Sequence, residues 1–252
     1  ARGTIGFSQT GRFLAWQDPR KNIRIWNMKQ NRFEHVIETN GKGFEHLLFH
    51  PNRRDLFGTG DGKIVRWNLK TGRKLSETKT QFSAHTSSKL SPDGRFLITD
   101  GTNGHLKVFR LSDMKIVRSQ RAHTNHIFGI DYVNNDTVMT GSWDQTIRSW
   151  NLKTGKSIRL RETKTRINEM AFDRRERTLA TANADGTVGI WPLGGQSPTR
   201  FHGHRNEVNY VDFIKNGQLV ASAGDDTTVR VWDRRTGGPL WRAPAMLPDG
   251  PT

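Results

Sequence analysis

Residues 222–233 read SAGDDTTVRVWD, and residues 140–151 read TGSWDQTIRSWN. Each segment passes from small residues through an acidic turn into a short run that ends on Trp. In the first segment Val229 and Val231 alternate with Arg230, which is the two-residue period of a half-buried strand. The segments therefore predict a tight hairpin between two β-strands.

The same pattern recurs along all 252 residues of the chain. An aromatic residue closes it every 41 or 42 residues, at Trp26, Trp67, Phe109, Trp150, Trp191 and Trp232. A large apolar residue stands 18 or 19 residues earlier, at Phe7, Phe49, Leu90, Tyr132, Phe172 and Phe213. A period of about 40 residues is typical of repeats that bury a core only by stacking on their neighbours.

Gly, Asn and Asp interrupt the pattern about every ten residues, which leaves no room for long helices. We therefore predict an all-β fold of six four-stranded units within residues 1–244. The units lie at about 1–40, 41–80, 81–121, 122–162, 163–203 and 204–244. We expect residues 245–252 to form a flexible C-terminal tail.

The two quoted segments, the pair Gly203-His204 and the pair Trp232-Asp233 resemble the WD40 repeat family. The resemblance covers the chain from about residue 4 to about residue 244 and implies a β-propeller. Propellers of this family most often have seven blades. A six-bladed ring and a seventh blade, upstream or on another chain, therefore both stay open.

In this family a His, a Ser or Thr, an Asp and the Trp form a hydrogen-bonded network inside one blade. The resemblance implies such networks at His204, Ser222, Asp226 and Trp232, and at His123, Thr140, Asp144 and Trp150. A Ser/His/Asp set also suggests a hydrolase, but geometry and not composition defines a catalytic triad. Because the set follows the repeat and occurs twice, we predict a structural role and no enzymatic activity.

The chain has no cysteine, which excludes disulfides, thiolate zinc sites and cysteine nucleophiles. The closely spaced histidines His123/His126 and His202/His204 lack further zinc-type ligands, so they do not indicate a metal site. The glycines of residues 58–62 precede a strand, whereas those of a phosphate-binding loop precede a helix. We predict no metal site and no cofactor. No apolar run approaches the ~20 residues of a transmembrane segment. We favour a cytoplasmic location and keep an extracytoplasmic one open.

The net charge is +16. In the geometry that the resemblance implies, the turns between strands 1 and 2 and between strands 3 and 4 share one face. These turns hold 18 basic and 7 acidic residues. The densest positions are Arg174, Arg175 and Arg177, followed by Arg53, Arg54, Arg234 and Arg235. They are candidates for binding an anion such as nucleic acid or another polyanion.

Trp143 lies in the turn before Asp144, which the resemblance places on the opposite, mildly acidic face near the central channel. An exposed Trp is a common anchor for a binding partner. Arg166, His126 and Glu207 come from loops between units on the same face, so we take the four residues as candidate partner contacts. The alternative is that Trp143 packs on a neighbouring hairpin.

Two functions follow. The first is a non-catalytic protein-interaction scaffold or recognition propeller, either alone or as the WD40 domain of a longer chain. The alternative is a binder of nucleic acid or another anionic surface through the basic face. Single-strand binding usually adds exposed aromatics for stacking, and the repeat occupies most Trp residues. We therefore expect the partner to be another protein or domain.

Overall fold

The structure is a computed structural model, and it describes residues 4–52, 54–80 and 87–244. These residues form 24 strands, arranged in six four-stranded antiparallel sheets. The predicted all-β fold of six four-stranded units is confirmed. Arg53 and the predicted tail at 245–252 lie outside the described residues. Within these ranges no helix is long and apolar enough to cross a membrane.

The chain divides into two compact units, Ala1–Ala122 and His123–Thr252, and each unit holds three sheets. In the first unit the strands of sheets 1 to 3 are β1 (Ile5–Phe7), β2 (Phe13–Gln17), β3 (Ile23–Asn27), β4 (Arg32–Ile37), β5 (His46–Phe49), β6 (Asp55–Gly60), β7 (Lys63–Asn68), β8 (Lys74–Lys79), β9 (Ser88–Leu90), β10 (Phe96–Gly101), β11 (His105–Arg110) and β12 (Lys115–Arg121). A single 3-10 turn, Thr102–Gly104, joins β10 to β11.

In the second unit the strands of sheets 4 to 6 are β13 (Ile127–Tyr132), β14 (Thr137–Ser142), β15 (Thr146–Asn151), β16 (Ser157–Glu162), β17 (Ile167–Asp173), β18 (Thr178–Asn183), β19 (Val188–Pro192), β20 (Thr199–Phe201), β21 (Val208–Ile214), β22 (Leu219–Gly224), β23 (Thr228–Asp233) and β24 (Pro239–Pro244). Consecutive strands pair in every sheet. Each blade is therefore a meander that needs only short turns.

The hairpins between third and fourth strands show why the repeat keeps its Asn and Gly residues. Asn68 Oδ1 accepts the backbone N–H of Thr71 at 3.0 Å, and Asn151 Oδ1 accepts that of Thr154 at 2.9 Å. Gly155 closes the second of these turns with a φ of 73°, in the left-handed region that glycine enters without strain.

The core lies between neighbouring sheets. In the second unit, Ala180 and Val188 of sheet 5 pack with Val220 and Trp232 of sheet 6, and all four side chains are buried. Sheet 6 thus turns larger apolar side chains toward sheet 5, and sheet 5 turns smaller ones toward sheet 6. This stacking holds the turns at the sheet ends in fixed positions.

Candidate functional site

The first set of predicted residues forms a chain of hydrogen bonds inside sheet 6. His204 Nδ1 lies 2.9 Å from Asp226 Oδ1, and His204 Nε2 lies 2.8 Å from Ser222 Oγ. Trp232 Nε1 donates to the same Oγ at 2.9 Å. Thr228 Oγ1 donates to Asp226 Oδ1 at 2.7 Å. The structure therefore brings the four predicted residues together and adds Thr228.

The direction of these bonds follows from what each group can donate. An indole nitrogen only donates, so the Ser222 oxygen accepts from Trp232 and directs its own proton to His204 Nε2. The neutral imidazole then carries its proton on Nδ1 and donates it to the Asp226 carboxylate. Every donor in this network of four side chains has an acceptor, which is the condition under which a buried polar network stabilises a fold.

Sheet 4 repeats the arrangement 81 or 82 residues earlier in the sequence. His123 Nδ1 lies 2.9 Å from Asp144 Oδ2, and Nε2 lies 2.6 Å from Thr140 Oγ1. Trp150 Nε1 donates to Thr140 Oγ1 at 2.9 Å. Thr146 Oγ1 donates to Asp144 Oδ1 at 2.6 Å, in the place of Thr228. A Thr hydroxyl in sheet 4 thus makes the same two hydrogen bonds, to the indole and to the imidazole, as the Ser hydroxyl in sheet 6.

The networks change the pKa values of their acids and bases. Burial on its own raises the pKa of the Asp226 carboxyl, but hydrogen bonds from His204 and Thr228 outweigh it and hold the pKa well below its ordinary value. The same balance holds the pKa of Asp144 well below its ordinary value, with His123 and Thr146 as the donors. Burial lowers the pKa of His123, although the bond to Asp144 opposes the shift. At neutral pH the pair of His123 and Asp144 is therefore a neutral imidazole and an ionised carboxylate.

The hydroxyls at the centre of these networks are closed to a substrate. Ser222 is 2% exposed and Thr140 is fully buried, and each already accepts an indole N–H. A nucleophilic hydroxyl needs its oxygen directed at the scissile atom. What this arrangement does chemically is to join the segment before the first strand of a blade to its second and third strands.

Sheet 5 keeps Thr181, Asp185 and Trp191 but carries Thr163 where the other two sheets have His. Trp191 Nε1 still donates to Thr181 Oγ1 at 2.9 Å. Asp185 Oδ2 instead receives Arg200 Nη1 at 3.2 Å, from the outer strand β20. The sequence offered no sign of Arg200 in this role, because the outer strands follow no strict repeat.

The second set of predicted residues lies at one end of the sheets of the second unit. Trp143, in the turn between β14 and β15, is half-buried. Its ring stacks on Phe128 with centroids 4.6 Å apart, and His126 meets it edge-on at 5.8 Å. The Arg166 guanidinium lies 4.9 Å from the Trp143 ring centroid, within cation–π range.

The side-chain amide of Asn168, in sheet 5, links this cluster to sheet 6. Asn168 Oδ1 accepts the indole N–H of Trp143 at 3.1 Å, and Asn168 Nδ2 donates to Glu207 Oε2 at 3.0 Å. Arg166 Nη2 reaches Glu207 Oε1 at 3.2 Å. Loops of sheets 4, 5 and 6 therefore meet in one continuous patch. We call it the Trp143 surface, made of His126, Phe128, Trp143, Arg166, Asn168 and Glu207.

Phe128 and Asn168 were absent from the sequence-based set. Each occupies a β-bulge near the start of the first strand of its sheet, where the pairing register shifts between Ile127 and Gly129 and between Ile167 and Glu169. A bulge turns its extra residue out of the alternating pattern and toward the strand end. The signal that could have found them is their common position, 40 residues apart in the repeat.

The basic residues of the second unit have unequal surroundings. Arg174 Nη2 donates to the Tyr132 carbonyl at 2.6 Å, and Arg234 pairs with Glu176 at 3.6 Å. Among the described residues, Arg175, Arg177 and Arg235 have no acidic ion-pair partner, and all three are exposed. Arg54 is exposed in the first unit. No three potential metal-ligating side chains meet within the described part of the chain.

Comparison with known proteins finds the same repeat in a known family. The profile described as WD domain, G-beta repeat matches residues 114–151, 155–192 and 195–233. Autophagy-related protein 16 of Arabidopsis thaliana is 24% identical over 150 residues, which are 58% of this chain and 30% of that protein. Target of rapamycin complex subunit LST8 of Mus musculus is 23% identical over 159 residues, which are 58% of this chain and 48% of that protein.

Meiotic fizzy-related protein 1 of Schizosaccharomyces pombe is 22% identical over 137 residues, 52% of this chain and 32% of that protein. The chain thus spans less than half the length of these relatives. One of them is, by its name, the subunit of a complex.

Proposed function

We propose that this chain is a non-catalytic interaction module of the WD40-repeat family, whose propellers usually bind other proteins and are generally not enzymes. Its partner is another protein or domain, which docks on the Trp143 surface. The observation that carries the proposal is the convergence of Trp143, Arg166, His126 and Glu207 on one patch. Residues from three sheets meet there, although up to 81 positions separate them in the sequence.

The construction of the patch supports a binding role. Phe128 backs the Trp143 ring and Asn168 fixes its N–H, so little side-chain freedom remains to be lost when a partner docks. Large and rigid aromatic side chains that are partly exposed are the usual anchors of protein interfaces. Arg166 and Glu207 are 46% and 34% exposed at their side chains, so both can also bond to a partner.

The chemistry of the patch favours a particular kind of partner segment. Trp143, Phe128 and His126 offer an aromatic contact area beside one guanidinium and one carboxylate. Such a patch suits a peptide or loop that inserts an apolar side chain and hydrogen-bonds on both sides of it. The exposed Arg175, Arg177 and Arg235 supply a weaker, general attraction to anions, and Arg174 and Arg234 are partly occupied within the chain.

The test is affinity capture on the immobilised chain from a nuclease-treated lysate, washed at about 0.15 M and then at about 0.5 M NaCl, where charge–charge attraction is strongly screened. The wild type is compared with Trp143→Ala and with the double variant Arg175→Gln/Arg177→Gln. Ile158→Ala is the matched control, because Ile158 is 64% exposed on the outer strand of the same sheet as Trp143.

We expect the wild type, the Arg variant and the control to retain the same protein at the higher salt concentration, and Trp143→Ala to lose it. Retention that disappears at high salt, or that depends on Arg175 and Arg177 alone, would contradict the proposal and favour a binder of anionic surfaces.

A further inference from the structure

Arg166 is held on the Trp143 surface by two contacts. Its guanidinium lies over the Trp143 ring, 4.9 Å from the ring centroid, and its Nη2 donates to Glu207 Oε1 at 3.2 Å. Glu207 is itself fixed, because its Oε2 accepts the side-chain amide of Asn168 at 3.0 Å, and Asn168 also donates to the Val208 carbonyl at 3.1 Å. The guanidinium therefore has a set position before a partner arrives, which lowers the entropic cost of a further bond to it.

The same guanidinium has hydrogen-bond donors to spare. An arginine side chain carries five N–H groups in a planar fork, and Glu207 uses one nitrogen of that fork. In the described ranges no other acceptor lies within hydrogen-bond distance of the guanidinium, and the Arg166 side chain is 46% exposed. Such a fork matches the two oxygens of a carboxylate, which it binds through two parallel hydrogen bonds. Arg166 can therefore bind an incoming carboxylate without first breaking a contact of its own.

Glu207, in contrast, has little to offer a basic partner. Its two carboxylate oxygens accept from Arg166 and from Asn168, so both are already engaged within the chain. A lysine or arginine of a partner would also meet the positive charge of Arg166 beside Glu207, and like charges across an interface are unfavourable. The pair of Arg166 and Glu207 therefore favours an incoming anion over an incoming cation.

The turns and loops at this end of the second unit show the same preference. They are the turns at 143–145, 184–187 and 225–227 and the loops at 123–126, 163–166 and 202–207. Their five acidic residues each accept a hydrogen bond from another side chain of the unit: Asp144, Asp185, Glu207, Asp225 and Asp226. Of their three basic residues, Lys164 and Arg205 are exposed and have no acidic ion-pair partner among the residues that the structure describes. The charge that remains available is therefore positive, although the acids outnumber the bases.

We infer, on the basis of the proposed function, that the partner segment docked on the Trp143 surface carries an acidic side chain beside an apolar one. The carboxylate binds the remaining N–H groups of Arg166, and the apolar side chain packs on the aromatic area of Trp143, Phe128 and His126. The two exposed cations of the neighbouring loops add a longer-range attraction to the same acid. The ligand is thus an acidic and apolar peptide segment.

Nucleic acid fits this site less well than such a peptide does. A nucleic-acid strand presents a row of phosphates and gains affinity by pairing with several cations at once. Only three basic residues lie in these turns and loops, and the five carboxylates would repel the other phosphates of the strand. A peptide with a single carboxylate needs only the Arg166 fork.

Selection from a random peptide library on the immobilised chain tests the inference without a known partner. The same library is selected in parallel on Trp143→Ala. Peptides enriched only on the wild type are synthesised, and fluorescence anisotropy gives their dissociation constants. We expect these peptides to share an Asp or Glu next to a large apolar residue. Peptides that need Trp143 but lack an acid would overturn the inference and leave the proposed function intact. A selection without any peptide that depends on Trp143 would overturn both.

Two substitutions then locate the carboxylate. Arg166→Gln on the protein, and replacement of the acid by its amide on the peptide, should each weaken binding about tenfold or more, because each removes a charge-assisted hydrogen bond. Both changes together should weaken it little more than one alone, since they remove the same contact. Arg175→Gln is the matched control, because Arg175 is an exposed arginine of the same unit, and it should bind like the wild type.

The peptide substitution leaves the protein unchanged, so it tests the contact even if Arg166→Gln unfolds in a thermal melt. Two losses that multiply when combined would overturn the inference, because they would place the acid against some other group. A folded Arg166→Gln variant with a dissociation constant within about twofold of the wild type would also overturn it.

Discussion

His204 and Asp226 meet at 2.9 Å inside sheet 6, between an imidazole that is fully buried and a carboxylate with a side chain that is 5% exposed. The pair joins the segment before β21 to the turn before β23. Such a bond fixes the position of the first strand of the sheet relative to the hairpin that the second and third strands form. We therefore expect the Ser/His/Asp set, which composition alone could assign to a hydrolase, to stabilise the sheet.

Replacing Asp226 by Ala should cost about 3 kcal/mol of unfolding free energy, because His204 Nδ1, Thr228 Oγ1 and the backbone N–H of Arg205 all lose their acceptor. Chemical denaturation with a linear extrapolation measures the loss. Asp225→Ala is the control, since the neighbouring Asp225 is exposed, and it should stay within about 0.5 kcal/mol of the wild type. Equal effects at the two positions would refute the role of the network.

Substitution of Ser222 distinguishes the hydroxyl from the side-chain volume. Ser222→Ala leaves Trp232 Nε1 and His204 Nε2 unpaired in a buried site and should cost about 1 to 3 kcal/mol. Ser222→Thr keeps the hydroxyl, and sheet 4 already holds Thr140 at the equivalent position. Thermal melts of the two variants should therefore differ, with Thr close to the wild type. A Thr variant as unstable as Ala would show that the hydroxyl is not what matters.

The lowered pKa of His123 predicts how stability depends on pH. The unfolded chain binds a proton at this residue near its ordinary pKa of about 6.5, and the folded chain binds it only at lower pH. The contribution of His123 to stability is therefore complete above about pH 6.5 and decreases as the pH falls below that value. The difference in unfolding free energy between the wild type and His123→Gln should be larger at pH 8 than at pH 5.5. A difference that grows on acidification would contradict this sign.

Arg200 provides a contrast within the same unit. Its ion pair with Asp185 leaves the two side chains 32% and 38% exposed, and exposed pairs contribute about 0 to 1 kcal/mol. Arg200→Met should therefore lower the unfolding free energy far less than Asp226→Ala does, measured in the same denaturant series. A loss as large as that of Asp226→Ala would mean that Arg200 has taken over the full role of the missing histidine.

The fold was predictable because one signal, an aromatic residue every 41 or 42 positions, repeats six times with its turns. The network residues were predictable for the same reason, since Ser222 and Asp226 precede Trp232 by the same distances as Thr140 and Asp144 precede Trp150. The role of Asn168 was not predictable, because the β-bulge that turns it outward adds a residue to the strand without changing the apolar pattern of the sequence. Arg200 lies on an outer strand, where few contacts constrain the sequence.

The burial of apolar side chains shows a different limit. Phe7 and Val231 have the same residue types as their buried equivalents in other sheets, so the sequence pattern does not distinguish a face that is covered from one that is not. The exposure of an apolar side chain depends on what packs against its sheet face, which the sequence pattern does not record.

The most direct test of the proposed function is the dissociation constant of the partner retained at high salt, compared between the wild type and Trp143→Ala. Removal of an anchor residue at the centre of an interface costs at least about 2 kcal/mol of binding free energy, which corresponds to roughly a 30-fold increase in the dissociation constant. We predict a loss of that size at both about 0.15 M and about 0.5 M NaCl, with the Ile158→Ala control unchanged. A constant for Trp143→Ala within about twofold of the wild type, in a protein that melts normally, would contradict the account.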